Sequence, residues 1–262
     1  MHMLKINKSA SRTIEILSLL ATSPKALTQL EISQELGMPK SSTYELIYTL
    51  LEMGMVEFEN KDLKTFRLGL KVFELGMSVL GKIDFHKLSR PFLDELSLKT
   101  GETVFMAVEE QGSIVYLDRV EHSSSITTSA GLGTRRPMHC TGLGKALLAA
   151  YPMERTREIW DLFPQKPAFT ATTLVTFEDL MEDIKQTRRR GFAIDNREME
   201  DEIFCVAAPI LDRAEKPVAA ISIASIYLKM DEQKIELWGN WIAEAALAIS
   251  RRLGFSRNQL FF

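Results

Sequence analysis

Apolar residues recur along this chain with two periods, one helical and one of two residues, and the points where one gives way to the other outline its elements. Over residues 9–21, Ile14, Leu17 and Ala21 fall on one side of a helix that Ser23-Pro24 ends. Thr28 and Glu31 form a T-x-x-E capping box that starts a second helix, with Ile32 and Leu36 on one face. Gly37 suits the left-handed position after that helix, and Pro39 follows. A third helix begins near Lys40. Leu46, Ile47, Leu50 and Leu51 form its core side, and Lys40, Ser41, Ser42, Tyr44 and Glu45 face outward. Val56-Glu57-Phe58 and Thr65-Phe66-Arg67-Leu68 then alternate in the strand period around the turn-rich Glu59-Asn60-Lys61-Asp62. Helix, tight turn, helix and hairpin is the layout of a winged helix-turn-helix. In that arrangement a helix with an apolar flank sends its free polar end into the major groove.

Val72, Leu75, Val79 and Ile83 recur at helical spacing and predict a linker helix over 71–85. Gly76 and Gly81 weaken it in isolation, so it is expected to pack on something, a second copy of itself being one candidate. From His86 onward the pattern predicts a helix over Leu88–Lys99, strands at Thr103–Glu109 and Ser113–Val120, and a third strand at Ser125–Ser129. A loop with Gly131 and Gly133 leads to a short helix, GLGKALLAA, and a further helix starts at Pro152. Thr176 and Asp179 cap a helix over 177–190 that Gly191 ends; apolar strands at Ile203–Leu211 and Val218–Ile226 precede a last helix over 231–253. Hairpins with helices interspersed predict an α+β chain with an antiparallel sheet. The domains expected are 1–70, a linker at 71–85, and 86–262.

Composition narrows this only a little. At 262 residues, 45% apolar and 26% charged, the chain reads as an ordinary soluble globular protein with room for two domains. A net charge of −3 gives nucleic-acid binding no support, and residues 1–70 balance eight basic against eight acidic side chains. DNA affinity therefore has to come from where charge is placed. No apolar run approaches the ~20 residues of a membrane span and no signal peptide opens the chain. Two cysteines, Cys140 and Cys205, fit a reducing, cytoplasmic setting.

In the first domain, Ser41, Ser42 and Tyr44 are candidates for base edges or phosphates, and Lys40 for a passing phosphate. Glu45 is either an acceptor for a cytosine amino group or a solvated helix residue. Arg12, Lys64 and Arg67 are candidate backbone clamps, with Lys61 beside them on the wing. Elsewhere enzyme signals fail. TGLGKA has His139 where a phosphate loop needs its first Gly and Ala146 where it needs Ser or Thr, and no G-x-S-x-G elbow is present. Arg188-Arg189-Arg190 sits at a helix C-terminus, where cations suit the dipole. His139, Cys140, Asp195, Glu198 and Cys205 are metal-competent, but no C-x-x-C or H-x-x-x-H spacing accompanies them. No metal site is assigned on this pattern; zinc is the metal these side chains would suit.

Several segments carry a resemblance: GMPKSSTYELIYTLLEMGMV (37–56), FRLGLKVFELG (66–76), TGETVFMAV (100–108), GTRRPMHCTGLGKALLA (133–149), RRGFAIDNRE (189–198) and CVAAPILD (205–212). The most specific is Gly133…Pro137-Met138-His139-Cys140-Thr141…Gly144-Lys145-Ala146. Over nearly its whole length the chain resembles the IclR-type bacterial transcriptional regulators. The resemblance implies an N-terminal winged helix-turn-helix, a linker helix used in dimerisation, and a C-terminal GAF-like domain that binds a small effector. It further implies dimers, or dimers of dimers, on palindromic double-stranded DNA operators near catabolic genes, with a sugar acid or aromatic acid as the family's habit of effector. Two positions depart from the family pattern: Gly142 stands where Ala is usual, and Glu202 where Gly is usual.

On this reading the effector pocket is floored by sheet. Met106, Val108 and Tyr116 on the first hairpin, with Ser222 and Ala224 on the last strand, supply its walls. The stretch Arg136 to Gly142, with His139, Cys140 and Thr141, and the stretch Asp195 to Cys205, with Glu198, close it. Arg136 is the candidate partner for a ligand carboxylate. The function expected is a cytoplasmic, dimeric, ligand-responsive transcriptional regulator without enzyme activity. The rival readings are a metal-dependent enzyme on the second domain, with the winged helix as an interaction module, and a protein-interaction adaptor.

Overall fold

Asn7 opens the first helix by accepting hydrogen bonds from the backbone N–H groups of Ser9 and Ala10, donors that a first turn otherwise leaves orphaned. In a computed structural model, which describes residues 7–80, 84–122 and 130–261, helix α1 runs Lys8–Thr22. Strand β1 (Leu27–Thr28) and helix α2 (Gln29–Glu35) follow, and Thr28 and Glu31 make the reciprocal capping box. Gly37, at φ +59°, turns the chain into α3 (Lys40–Glu52). Strands β2 (Val56–Asn60) and β3 (Thr65–Leu68) pair antiparallel, and β1 adds to the far side of β3. Ile16, Leu20, Ile32, Ile47, Leu50, Val56 and Phe66 form the core of this unit. The inward face of α1 departs from the sequence reading: Ile16 and Leu20 are buried, whereas Ile14 is 62% exposed and Ala21 is exposed. Both residue sets have helical spacing, and packing against α3 and β3 selects between them.

Helix α4 (Leu70–Leu80) follows in the same unit, with Leu70, Phe73 and Met77, spaced three and four apart, all exposed. The end of the expected linker, at 81–83, lies outside the described residues, as does the strand expected at Ser125–Ser129. The chain divides into two compact units at Ile83 and Asp84.

The second unit begins with α5 (Asp84–Thr100), which carries Pro91 inside it. A start at Leu88 would have put that proline in the first turn, where it is best tolerated; the helix begins a turn earlier. Strands β4 (Thr103–Glu110) and β5 (Ser113–Val120) are joined by Gln111 and Gly112, at φ +55° and +78°. Two left-handed residues in succession match the twist of a tight hairpin. Next come β6 (Arg135–Pro137), α6 (Gly142–Ala150), α7 (Met153–Asp161), α8 (Phe177–Arg190), β7 (Ala193–Asn196), β8 (Ile203–Leu211), β9 (Pro217–Ile226) and α9 (Glu232–Arg252). Strands β6 and β7 stand where the sequence reading had loops. At three and four residues they are too short to show an alternation.

All pairings are antiparallel, in the order β6-β5-β4-β9-β8-β7. The strands β8 and β9 are buried along most of their length on both faces. Helix α6 packs against β7, β8 and β9, and α5 and α9 pack together against β4, β8 and β9. Arg188 donates to the carbonyls of Ala149 and Tyr151, so this basic residue ties α8 to the end of α6.

Candidate functional sites: a DNA-reading helix and a ligand pocket

The turn between α2 and α3 is held by side chains. Gln29 Nε2 donates to the Lys40 carbonyl at 2.8 Å, and Ser33 Oγ donates to the Met38 carbonyl at 2.7 Å. Thr43, unremarked in the sequence, is fully buried and donates back to the Pro39 carbonyl, so it seats the start of α3. Pro39 stands at the N-cap and offers no side-chain acceptor, and no acidic residue lies in the first turn. The N–H groups of that turn therefore keep their partial positive charge for an outside acceptor, as a phosphate requires. Lys40, Ser41, Tyr44 and Glu45 are exposed around this end and Ser42 is half-buried. The Tyr44 ring lies 4.2 Å from that of Tyr48, which meets Phe66 edge-on, so Tyr44 is braced against the core.

Of the candidate clamps, Lys61 and Lys64 are exposed at the wing turn and Arg12 is half-buried on α1. Arg67 differs. Its guanidinium is 2.7 Å from Glu57 and 2.6 Å from Glu59, so its charge is already compensated within the wing.

The pocket follows from strand register. Phe105 is paired with Ser222, Cys205 with Ala224, and Asp195 with Cys205. Directly opposed residues share a face, so these five point to one side of the sheet. Tyr116, opposite Ala107, joins them and meets Phe105 edge-on at 5.2 Å. The start of α6 lies over this face. A Cβ on Gly142 would stand 3.3 Å from that of Cys205 and 3.4 Å from that of Ala207. The departure from the usual Ala thus lets the helix sit close to the sheet. Together with Ala130, Arg136, Thr141, Leu143, Met199, Glu200 and Ile203, these groups enclose a pocket of about 40 Å³.

Eight sequence candidates line it: Tyr116, Arg136, Thr141, Gly142, Asp195, Cys205, Ser222 and Ala224. Five do not. Met106 is opposite Ile221 and, with Val108, belongs to the other face of β4, so the reading was one residue out of phase. Cys140 is buried behind Met199, with Sγ 3.7 Å from its sulfur. His139 lines a separate cavity. Glu198 turns away toward Lys145, whose Nζ lies 2.5 Å from Glu198 Oε1 and 3.3 Å from Asp183 Oδ2. Phe105, on a stretch of β4 buried on both faces, and Ala130 carry no signal in the sequence.

Within the stretch expected to close the pocket, residues 196–198 are fixed. Thr172, Thr170 and Thr173 donate to the carbonyls of Asn196, Arg197 and Glu198, and the Arg197 guanidinium lies 4.1 Å over the Tyr227 ring. The Glu198 N–H donates to Asp195 Oδ1 at 2.8 Å. Arg136 Nη2 is 3.9 Å from Glu200 Oε1 at the pocket rim. Among the described residues, no three His, Cys, Asp or Glu side chains are grouped to hold a metal ion.

Burial, reinforced by the Glu198 charge, pushes the Asp195 carboxyl up to about 7 from the ordinary 3.8. A raised value means that folding takes up a proton. The resulting stabilisation is complete below about pH 4 and is lost as pH rises through about 7. Asp195→Asn, uncharged throughout, is expected to remove that dependence. Relative to the wild type it should gain stability between pH 5 and 8, by at most roughly 4 kcal/mol. Urea melts of both proteins at the two pH values check this. Glu198 is also raised by burial and is common to both proteins, so their difference reports Asp195 together with its repulsion of Glu198.

A winged helix with an open reading end, joined to a separate sheet unit that encloses a small polar-and-aromatic pocket, defines a ligand-responsive, DNA-binding transcriptional regulator. Residues 9–60 match the IclR helix-turn-helix domain, and residues 77–251 match the C-terminal domain of the bacterial transcriptional regulator IclR. The chain belongs to the IclR family of bacterial transcriptional regulators. It is 31% identical to the HTH-type transcriptional regulator XynR of Escherichia coli over 95% of this chain and 98% of that protein. The Thermotoga maritima IclR crystal structure superposes with a TM-score of 0.80 at 32% identity, covering 94% of this chain and 99% of that one. An IclR homologue of Microbacterium hydrocarbonoxydans, crystallised with 4-hydroxybenzoate, shares the fold, with a TM-score of 0.80 at 22% identity over 94% of this chain and 99% of that one. Its relatives are regulators, and this chain is one too rather than an enzyme. No helix among the described residues is long and apolar enough to cross a membrane.

Proposed function

We propose that this regulator reads a palindromic DNA operator as a dimer and answers to a small organic acid in the sheet pocket, controlling genes for the breakdown of that acid or a relative. The observation that carries the DNA half is the open end of α3, with no acidic residue in its first turn and Lys40, Ser41, Ser42 and Tyr44 around it. Those N–H groups and Lys40 hold phosphates, and the hydroxyls of Ser41, Ser42 and Tyr44 meet base edges. Lys61 and Lys64 add phosphate contacts from the wing. The exposed Leu70, Phe73 and Met77 on α4 give a second copy an apolar seam to cover. Two reading helices so related would take half-sites about 34 Å apart, or a small multiple of that.

In the pocket, Arg136 takes the ligand carboxylate, Ser222 supplies a hydroxyl, and Phe105 and Tyr116 form an aromatic wall; the Thr141 hydroxyl is held by the Pro137 carbonyl and the Gly144 N–H. The 4-hydroxybenzoate bound by the Microbacterium homologue supports an acid as the class. A free volume of about 40 Å³ is little more than a water or two, so Met199 and Glu200 must shift to admit any organic acid.

Selection of random DNA duplexes by the purified protein at about 150 mM salt, with non-specific competitor, tests the reading. A palindromic consensus is the expected result. No enriched sequence, with or without a panel of small carboxylic acids, would overturn it.

A further inference from the structure

Behind the pocket lies a second cavity, of about 190 Å³, walled by Met138, Leu148, Ile159, Trp160 and Leu180. Pro137, Met138 and His139 line this cavity, and Thr141 and Gly142 line the sheet pocket, so one short segment serves both. A cavity of about 150 Å³ with apolar walls accepts benzene. This one therefore has room for a single aromatic ring with a small substituent.

Its polar groups are few and specific. Lys166 Nζ donates to the carbonyls of Trp160, at 2.8 Å, and Phe163, and lies 4.2 Å from the centre of the Trp160 ring. Among the described residues no carboxylate comes within ion-pair distance of it; Asp161 acts on it only from further off. Burial lowers the Lys166 pKa, as expected for an ammonium ion that lacks a close counter-charge. His139, 6% exposed, meets Trp160 edge-on at 5.9 Å. Burial and the Lys166 charge bring its pKa down to about 4, so the ring is neutral at physiological pH. One ring nitrogen bonds to the Pro167 backbone, and Nε2, buried, has no hydrogen-bond partner among the described residues. Neither group is used by the sheet pocket or by the DNA-reading unit.

We propose that this cavity is a second small-molecule site, for a monocyclic aromatic carboxylate whose ring lies among Ile159, Leu148 and Trp160 and whose carboxylate pairs with Lys166. An aromatic ring recovers the dispersion contacts that the apolar walls lack, and its carboxylate neutralises the Lys166 cation at the rim.

Trp160 reports the event directly. In a full-length chain carrying Trp238→Phe and Trp241→Phe, it is the sole tryptophan. Benzoate and benzyl alcohol, which share a ring and differ in charge, are titrated against its fluorescence. Saturable quenching by both is expected, with Lys166→Gln weakening benzoate at least tenfold and leaving benzyl alcohol unchanged. Ile159→Phe fills the cavity and should abolish both signals, as should Leu180→Phe from the opposite wall, while Ala224→Phe, which fills the sheet pocket, should leave them intact. Far-UV circular dichroism verifies that each variant is folded. The proposal is overturned by no saturable change up to about 10 mM benzoate. It is equally overturned by quenching that survives both cavity-filling variants, by quenching lost only with Ala224→Phe, or by a benzoate affinity indifferent to Lys166→Gln.

Discussion

Lys145→Met is expected to cost the C-terminal unit about 3–5 kcal/mol, the usual effect of removing one partner from a buried ion pair. Lys145 has no exposed surface, and its ammonium sits between Glu198 and Asp183. Methionine nearly matches the volume of lysine but removes the cation between the two carboxylates, leaving Glu198 unpaired and Asp183 with only the more distant Arg190, at 3.9 Å. Each already has one buried oxygen without a hydrogen-bond partner among the described residues, and among them no second ion pair to Glu198 is formed. The measurement is a urea melt with the slope held in view, since a lower midpoint at unchanged slope reports stability alone. Adding Glu198→Gln to Lys145→Met should recover much of the loss, because the two residues act as one unit. A single variant that melts within about 1 kcal/mol of the wild type would show that the lysine compensates nothing. The effect should also reach the pocket, because the Glu198 N–H holds Asp195 in place.

The second large effect is on DNA. Ser42→Ala combined with Tyr44→Ala should lower affinity for the selected operator by roughly 30- to 1000-fold, at about 1–2 kcal/mol for each lost base contact. Affinity for unrelated DNA should change little, because Lys40, the wing lysines and the backbone N–H groups of α3 remain. Losing the Tyr44–Tyr48 contact costs about 1 kcal/mol of stability, so folding is checked by circular dichroism. Competition binding at about 150 mM salt gives the ratio of specific to non-specific affinity. An unchanged ratio would move sequence reading away from this helix.

How far these features were legible depends on the range of the interactions that form them. The Thr28–Glu31 box, the Gly37 turn, the Thr176 cap and the Gly191 stop are set by residues within one turn of each other, and each is readable locally. The long strands β4, β5, β8 and β9 are readable because their apolar runs are bounded by turn residues. The inner face of α1 was not, because two helical stripes compete and only the partner decides. Strand phase on β4 was missed for a related reason: Thr103 to Ala107 are all buried, so no polar position marks which side faces the pocket. Glu198 and His139 stand beside pocket residues in the sequence. Long-range partners, Lys145 and Trp160, turn them elsewhere.

The two cysteines carry one more consequence. Cys140 is fully buried and Cys205 points into the sheet pocket, and burial beside Asp195 and Glu198 pushes both thiols above their ordinary range. The reactive form of a cysteine is the thiolate, and here it is suppressed at any physiological pH. Peroxide and disulfide exchange therefore find little thiolate to attack at either position, and a ligand entering the sheet pocket meets a neutral thiol at Cys205 rather than an anion.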